Sequence, residues 1–157
     1  MLTDLYREII EQKLLIGGLE ADNQEAGVSR YSPSEIREAI AKLVSEERTD
    51  LASALAEAGL ALYPRSEDVL AISGLLAMLK EDWHYSVTIL NELLVVQGEN
   101  APITSHLMFV RALRCALEPA AALSAVMIAH EHYPNHPELV AEFEAIAKQL
   151  GLKEATD

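Results

Sequence analysis

Leu62-Tyr63-Pro64 and His132-Tyr133-Pro134 each close a run of helix-forming residues, and their prolines stand 70 residues apart, two periods of about 35. A third copy of the pattern lies between them. A period of this size marks stacked helical repeats, in which each unit must bury its apolar face on its neighbours. Such a chain is expected to offer other molecules a binding surface rather than a catalytic centre.

Outward from those two points the repeats fall at about 33–66, 67–100 and 103–136. In the first, Ser32-Pro33-Ser34-Glu35 supplies a capping hydroxyl, a proline at the first helical position and a carboxylate in the first turn. Ile36, Ile40 and Leu43 stripe its first helix, residues 47–50 turn the chain, and Ala52, Ala56 and Gly59 line its second. The second repeat places Leu70, Gly74 and Ala77 on one helix and Ser86, Leu90 and Leu93 on the other, with Glu81-Asp82 in the turn before Trp83. In the third, Val110 and Leu113 are followed by Glu118-Pro119 and then by Ala122, Val126 and Ala129. Ala52, Ser86 and Ala122 are equivalent small positions, at steps of 34 and 36, where two backbones can approach closely.

The flanks read differently. Leu2, Leu5, Tyr6, Ile9, Ile10 and Ile16 recur at helical spacing up to Gly17-Gly18, and a polar stretch from Glu20 to Ser32 follows, so residues 1–32 are expected to be an N-terminal helix and a linker. Its apolar stripe needs cover, either as a plug on the chain's own groove or as the contact of a homodimer. At the other end Asn135 is expected to cap a closing helix over 137–151, with Leu139, Phe143, Ile146 and Leu150 facing the repeats and Glu138, Glu142, Glu144, Lys148 and Gln149 facing water.

Composition narrows the class. The 157 residues are half apolar but only 5% aromatic, which predicts one all-helical domain packed with Leu, Ile, Val and Ala. Twelve basic against 25 acidic residues give a net charge of −13, which repels the nucleic-acid backbone and anionic membranes alike. No apolar run approaches the roughly 20 residues of a spanning helix, and the early acidic residues contradict a secretory signal. A cytoplasmic setting is expected, in keeping with the single cysteine, Cys115.

The small residues, the turn acid before Trp83 and the Tyr-Pro pairs together resemble the tetratricopeptide repeat (TPR) family over about residues 33–136, with Gly74, Ala52, Ala122, Pro64 and Pro134 on family positions. The resemblance departs at Gly98, where the second repeat lacks its terminal proline, and in the absence of the aromatic residue usual early in each first helix. It implies an all-α fold, an α-solenoid of three helix hairpins whose first helices line a concave groove. In this sequence the groove positions would be Arg37, Ala41, Val44 and Ser45, then Ala71, Leu75, Met78 and Leu79, then Leu107, Arg111, Arg114 and Cys115. Leu75, Met78 and Leu79 would form an adaptable apolar floor, and Arg111 and Arg114 would attract an acidic side chain or a C-terminal carboxylate. The implied function is a non-catalytic protein-interaction module, an adaptor or chaperone that holds an extended or helical segment of another protein. The layout of one helix, three repeats and a closing helix is also similar to that of the small chaperones of type III secretion.

Other chemistry has weaker support. No phosphate loop, catalytic triad or carboxylate pair stands out, so no enzyme activity and no cofactor are expected. His130, His132 and Cys115 are the residues a metal-dependent or thiol enzyme or regulator would use, but Pro134 separates His132 from His136 at a turn, and Cys115 has no nearby base. Trp83 and Tyr85 are expected to pack between repeats. A third reading is a structural subunit of an assembly such as a secretion apparatus.

Overall fold

A computed structural model of the chain describes residues 31–152, so the expected N-terminal helix and nearly all of its linker lie outside the described residues. Every regular element described is helical: α1 Pro33–Ser45, α2 Thr49–Leu62, α3 Glu67–Leu79, α4 Trp83–Gln97, a 3-10 turn Gly98–Asn100, α5 Ile103–Cys115, α6 Pro119–His132 and α7 Pro137–Gln149. The chain divides into two compact units, the first running to Leu76 and the second beginning at Ala77. Each element in a repeat chain packs mainly on its sequence neighbours, so compactness is local.

In the first unit α1 and α2 form a hairpin. Ser32 accepts a hydrogen bond from the Glu35 amide at 3.1 Å and starts α1. The expected stripe of Ile36, Ile40 and Leu43 is buried, as are Ala52, Ala56 and Gly59 on α2, and Leu55, Val69 and Leu76 complete the cluster. Gly59 allows a close approach: a Cβ there would lie 3.1 Å from Ile36 Cγ2 and 3.2 Å from Val69 Cγ1. Burial of these aliphatic chains, worth about 1.5–3 kcal/mol each, holds the unit together.

The second unit is built on α4 to α7. Ser86, Ile89, Leu90 and Leu93 bury one face of α4, and Leu107, Val110, Leu113, Ala122, Val126, Ala129, Leu139 and Ile146 form its main cluster. Two expectations for α7 fail. Phe143 and Leu150 are exposed rather than turned to the core, while Glu142, assigned to the watery face, is only 7% exposed. Two arginines of α5 reach Glu142 and hold it inside, which fixes the rotation of the helix about its axis. The cap also shifts by one residue: His136 accepts from the Glu138 amide through Nδ1 at 3.3 Å, and Asn135 takes a left-handed φ of 61° that turns the chain into it. Trp83 is half-buried and Tyr85 exposed.

Each hairpin turn has the same geometry. Glu47, Glu81 and Leu117 have φ of 58°, 59° and 62°, and the next amide in each case, Arg48, Asp82 or Glu118, donates back to the carbonyl of Leu43, Ala77 or Leu113 at 2.8–3.0 Å. This is the Schellman closure, normally completed by glycine because a left-handed conformation costs other residues roughly 1–2 kcal/mol. Leu117 is also 77% exposed. Leu117→Gly should therefore stabilise the protein by up to about 1 kcal/mol, once the greater freedom of glycine in the unfolded chain is subtracted. Thermal unfolding measures it, and a lowered melting temperature would refute the strain at this turn.

The Tyr-Pro pairs have a structural role. Tyr63 and Tyr133 end α2 and α6 with nearly identical backbone angles, and each hydroxyl donates to a carbonyl 32 residues earlier, Tyr63 to Tyr31 and Tyr133 to Ala101 at 2.7 Å. The end of each second helix is thus fastened to the start of its own hairpin. Burial, and next the nearby Glu35 carboxylate, push the Tyr63 phenol above its ordinary ionisation range, so it remains a donor. Tyr63→Phe or Tyr133→Phe should each cost about 1 kcal/mol in urea unfolding. No loss in either variant would mean that the hydroxyls contribute nothing net.

Candidate protein-binding surface

The expected groove residues separate by environment. In the first unit Arg37 and Ala41 are exposed, Val44 and Ala71 are half-buried, and Leu75 is 41% exposed. Arg37 carries an ion pair to Asp68 at 2.9 Å, which joins the first turns of α1 and α3 on the surface and is worth little in water. In the second unit Met78 is half-buried and Leu79 is 61% exposed. Leu107 lies in the core cluster and presents nothing to a partner.

Arg111 and Arg114 are engaged within the protein. Arg111 Nε donates to Glu142 Oε1 at 2.7 Å and its Nη2 to Glu138 Oε2 at 3.1 Å, while Arg114 Nε donates to Glu142 Oε2 at 2.9 Å. The hydrogen bond it donates to Glu142 is the largest reason that the Arg111 guanidinium holds its proton even more firmly than usual. The Arg114 carbonyl accepts from Gln149 at 3.3 Å. Two guanidinium groups facing two carboxylates leave no net charge at this spot, so the expected attraction for an acidic ligand is answered from α7 instead. Sequence reading gave no sign of this, because the partners lie 27–31 residues away.

A surface that sequence reading missed lies between α6 and α7. Val126, Met127, Leu139, Val140 and Phe143 line an apolar groove of about 460 Å³, with His130 and Glu131 at its side. Val140 and Phe143 are 44% and 45% exposed, and Met127 is exposed too. Counting from the helix starts, Val140 and Phe143 correspond to His106 and Phe109 of α5, the helix that packs on α6. The only hint in the sequence was a closing helix with more large apolar residues than one buried stripe needs.

The remaining chemistry is dispersed. Cys115 is a half-buried free thiol. Among the described residues no three His, Cys, Asp or Glu side chains converge as a metal site. His130 borders the apolar groove, His136 caps α7, and His132 stacks on His106 with ring centroids 5.9 Å apart. No helix among the described residues is long and apolar enough to cross a membrane.

No protein-family model matches the chain, and no curated protein matches it. Solved structures do. MamA from MSR-1 is 17% identical with a TM-score of 0.69, over 94% of this chain and 86% of that one. The first TPR domain of Spaghetti (RPAP3), bound to the HSP90 peptide SRMEEVD, is 14% identical with a TM-score of 0.65, over 74% of this chain and 90% of that one. YrrB, described as a TPR protein with an unusual peptide-binding site, is 16% identical with a TM-score of 0.59, over 83% and 75% of the two chains. The fold is thus all-α, a helical-repeat fold of the TPR kind, as the spacing of the Tyr-Pro pairs and the small residues implied.

Proposed function

We propose that this chain is a non-catalytic adaptor or chaperone that holds a helical or extended segment of a partner protein. The observation that carries the reading is the apolar groove between α6 and α7, where Val140 and Phe143 stand uncovered on positions that in α5 face a packed helix. Exposed apolar surface of this kind gains free energy when a partner removes it from water. Leu75 of the first unit adds another exposed apolar side chain, and the HSP90 peptide bound to RPAP3 and the peptide-binding site of YrrB support the choice of a peptide as the thing bound. The expected role for Arg111 and Arg114 becomes one of shaping the surface through Glu142 rather than contacting a carboxylate.

The test is binding of a partner segment recovered from the native cell and then synthesised as a peptide. Phe143→Glu and Leu75→Glu, each on an exposed side chain, should leave helicity unchanged, and at least one should weaken binding more than tenfold. Unchanged affinity in both variants would remove the apolar surfaces from the binding role.

A further inference from the structure

We propose that His106, stacked on His132, is an acid-sensitive latch in the second unit: as a neutral ring it holds the first turns of α5 against the end of α6, and its protonation drives that joint apart. This goes beyond partner binding and does not depend on it. Two comparisons single out His106. Positions 36, 70 and 106 are equivalent in the three repeats, and they hold Ile36, Leu70 and His106, all buried. A titratable ring therefore occupies a place that the sister repeats fill with aliphatic side chains, at 9% exposure.

The surroundings suit a neutral ring. His132 lies nearly parallel to it, 5.9 Å between centroids and 23° between planes, and Tyr133 approaches edge-on at 6.0 Å. Leu94, Val95, Phe109, Ala125 and Ile128 line, together with both imidazoles, an open cavity of about 400 Å³, in which His106 is buried and His132 exposed. The charged or titratable groups in reach are few. Those that line the cavity or touch the rings are His132 and Tyr133 at the end of α6 and Glu99 of the 3-10 turn; α4 contributes the neutral Asn91 to this lining, and α7, which also packs on α5, contributes nothing to it. Tyr133 also donates to the Ala101 carbonyl just before α5, so a shift of the rings is transmitted to the start of the third hairpin.

The sign follows from linkage. Burial first, and His132 second, lower the proton affinity of folded His106 below that of an ordinary imidazole. The unfolded chain then binds more protons than the folded one, so stability is complete above the ordinary imidazole value near 6.5 and falls as pH drops below it toward the folded value. An aliphatic residue at position 106 removes this dependence.

The experiment is urea unfolding of the full chain and of His106→Leu at about pH 7.5 and about pH 5.5, values that bracket the ordinary imidazole range. The native protein should lose midpoint concentration on acidification, and His106→Leu should lose less than half as much. Equal losses would overturn the proposal. Should His106→Leu fail to fold, the ring signals of His106 in the native protein decide by NMR titration: a midpoint below that of an unfolded histidine supports the latch, and one at or above it overturns it. In His132→Gln the His106 midpoint should move up toward the ordinary value, and no movement counts against coupling of the two rings.

Discussion

Gly59→Leu is expected to unfold the first unit under conditions where the native protein is folded, at a cost of about 3 kcal/mol or more. The reason is the crowding at that position, since a first carbon already lies 3.1 and 3.2 Å from methyl groups of Ile36 and Val69. Both neighbours are completely buried and have no room to retreat. Gly59→Ala makes the sharper comparison. Alanine gains about 1 kcal/mol of helix propensity over glycine, but forcing the two methyl groups outward costs about 1–3 kcal/mol, so the variant should come out between neutral and about 2 kcal/mol less stable. Urea unfolding followed by circular dichroism measures both. A Gly59→Ala variant clearly more stable than the native protein would show that α1 and α3 yield easily, and the tight contact would lose its importance.

Glu142→Ala should cost about 2 kcal/mol. Its carboxylate is nearly inaccessible and accepts from Arg111 and Arg114 at 2.7 and 2.9 Å. Removing it deprives two guanidinium groups of their partner, and breaking a buried pair on one side is worth about 3–5 kcal/mol. That figure is reduced here because the arginines are 41% and 32% exposed and water can reach them. A double-mutant cycle isolates the interaction: in an Arg111→Met background the cost of Glu142→Ala should fall substantially. Additive losses would mean that Glu142 acts by packing alone. The same variants bear on the proposed binding surface, because Glu142 sets the rotation of α7 that turns Val140 and Phe143 outward.

Much of the fold was legible because local signals agree. Pro33, Pro119 and Pro137 stand at the first positions of three helices, and the buried stripes of α1, α2 and α4 to α6 follow the helical period of their aliphatic residues. The small residues Ala52, Ser86 and Ala122 are wholly buried, as close helix packing requires. What the sequence hid depends on contacts between distant residues. Glu142 reads as a solvated face until its arginines, 28 and 31 residues away, are seen beside it. Leu107, placed in the groove by the resemblance, is buried in the core cluster of the second unit, and one residue of register turns a helix by about 100°. His106 carries no mark in the sequence, since its stacking partner His132 lies in the next helix and a lone imidazole has no sequence pattern. For the candidate site, the groove between α6 and α7 was not readable, because periodicity assigns Phe143 to the core.

The Schellman turns bear on how the chain reaches its native state. Each joins two helices through only a few residues, so the loop that must close is short and its entropic cost small. Native pairings within a hairpin form between near neighbours, a low contact order that favours fast folding, and any of the hairpins can nucleate before the rest has assembled. Damage at one end, such as an enzyme's cut, therefore leaves the other end its own local start toward structure.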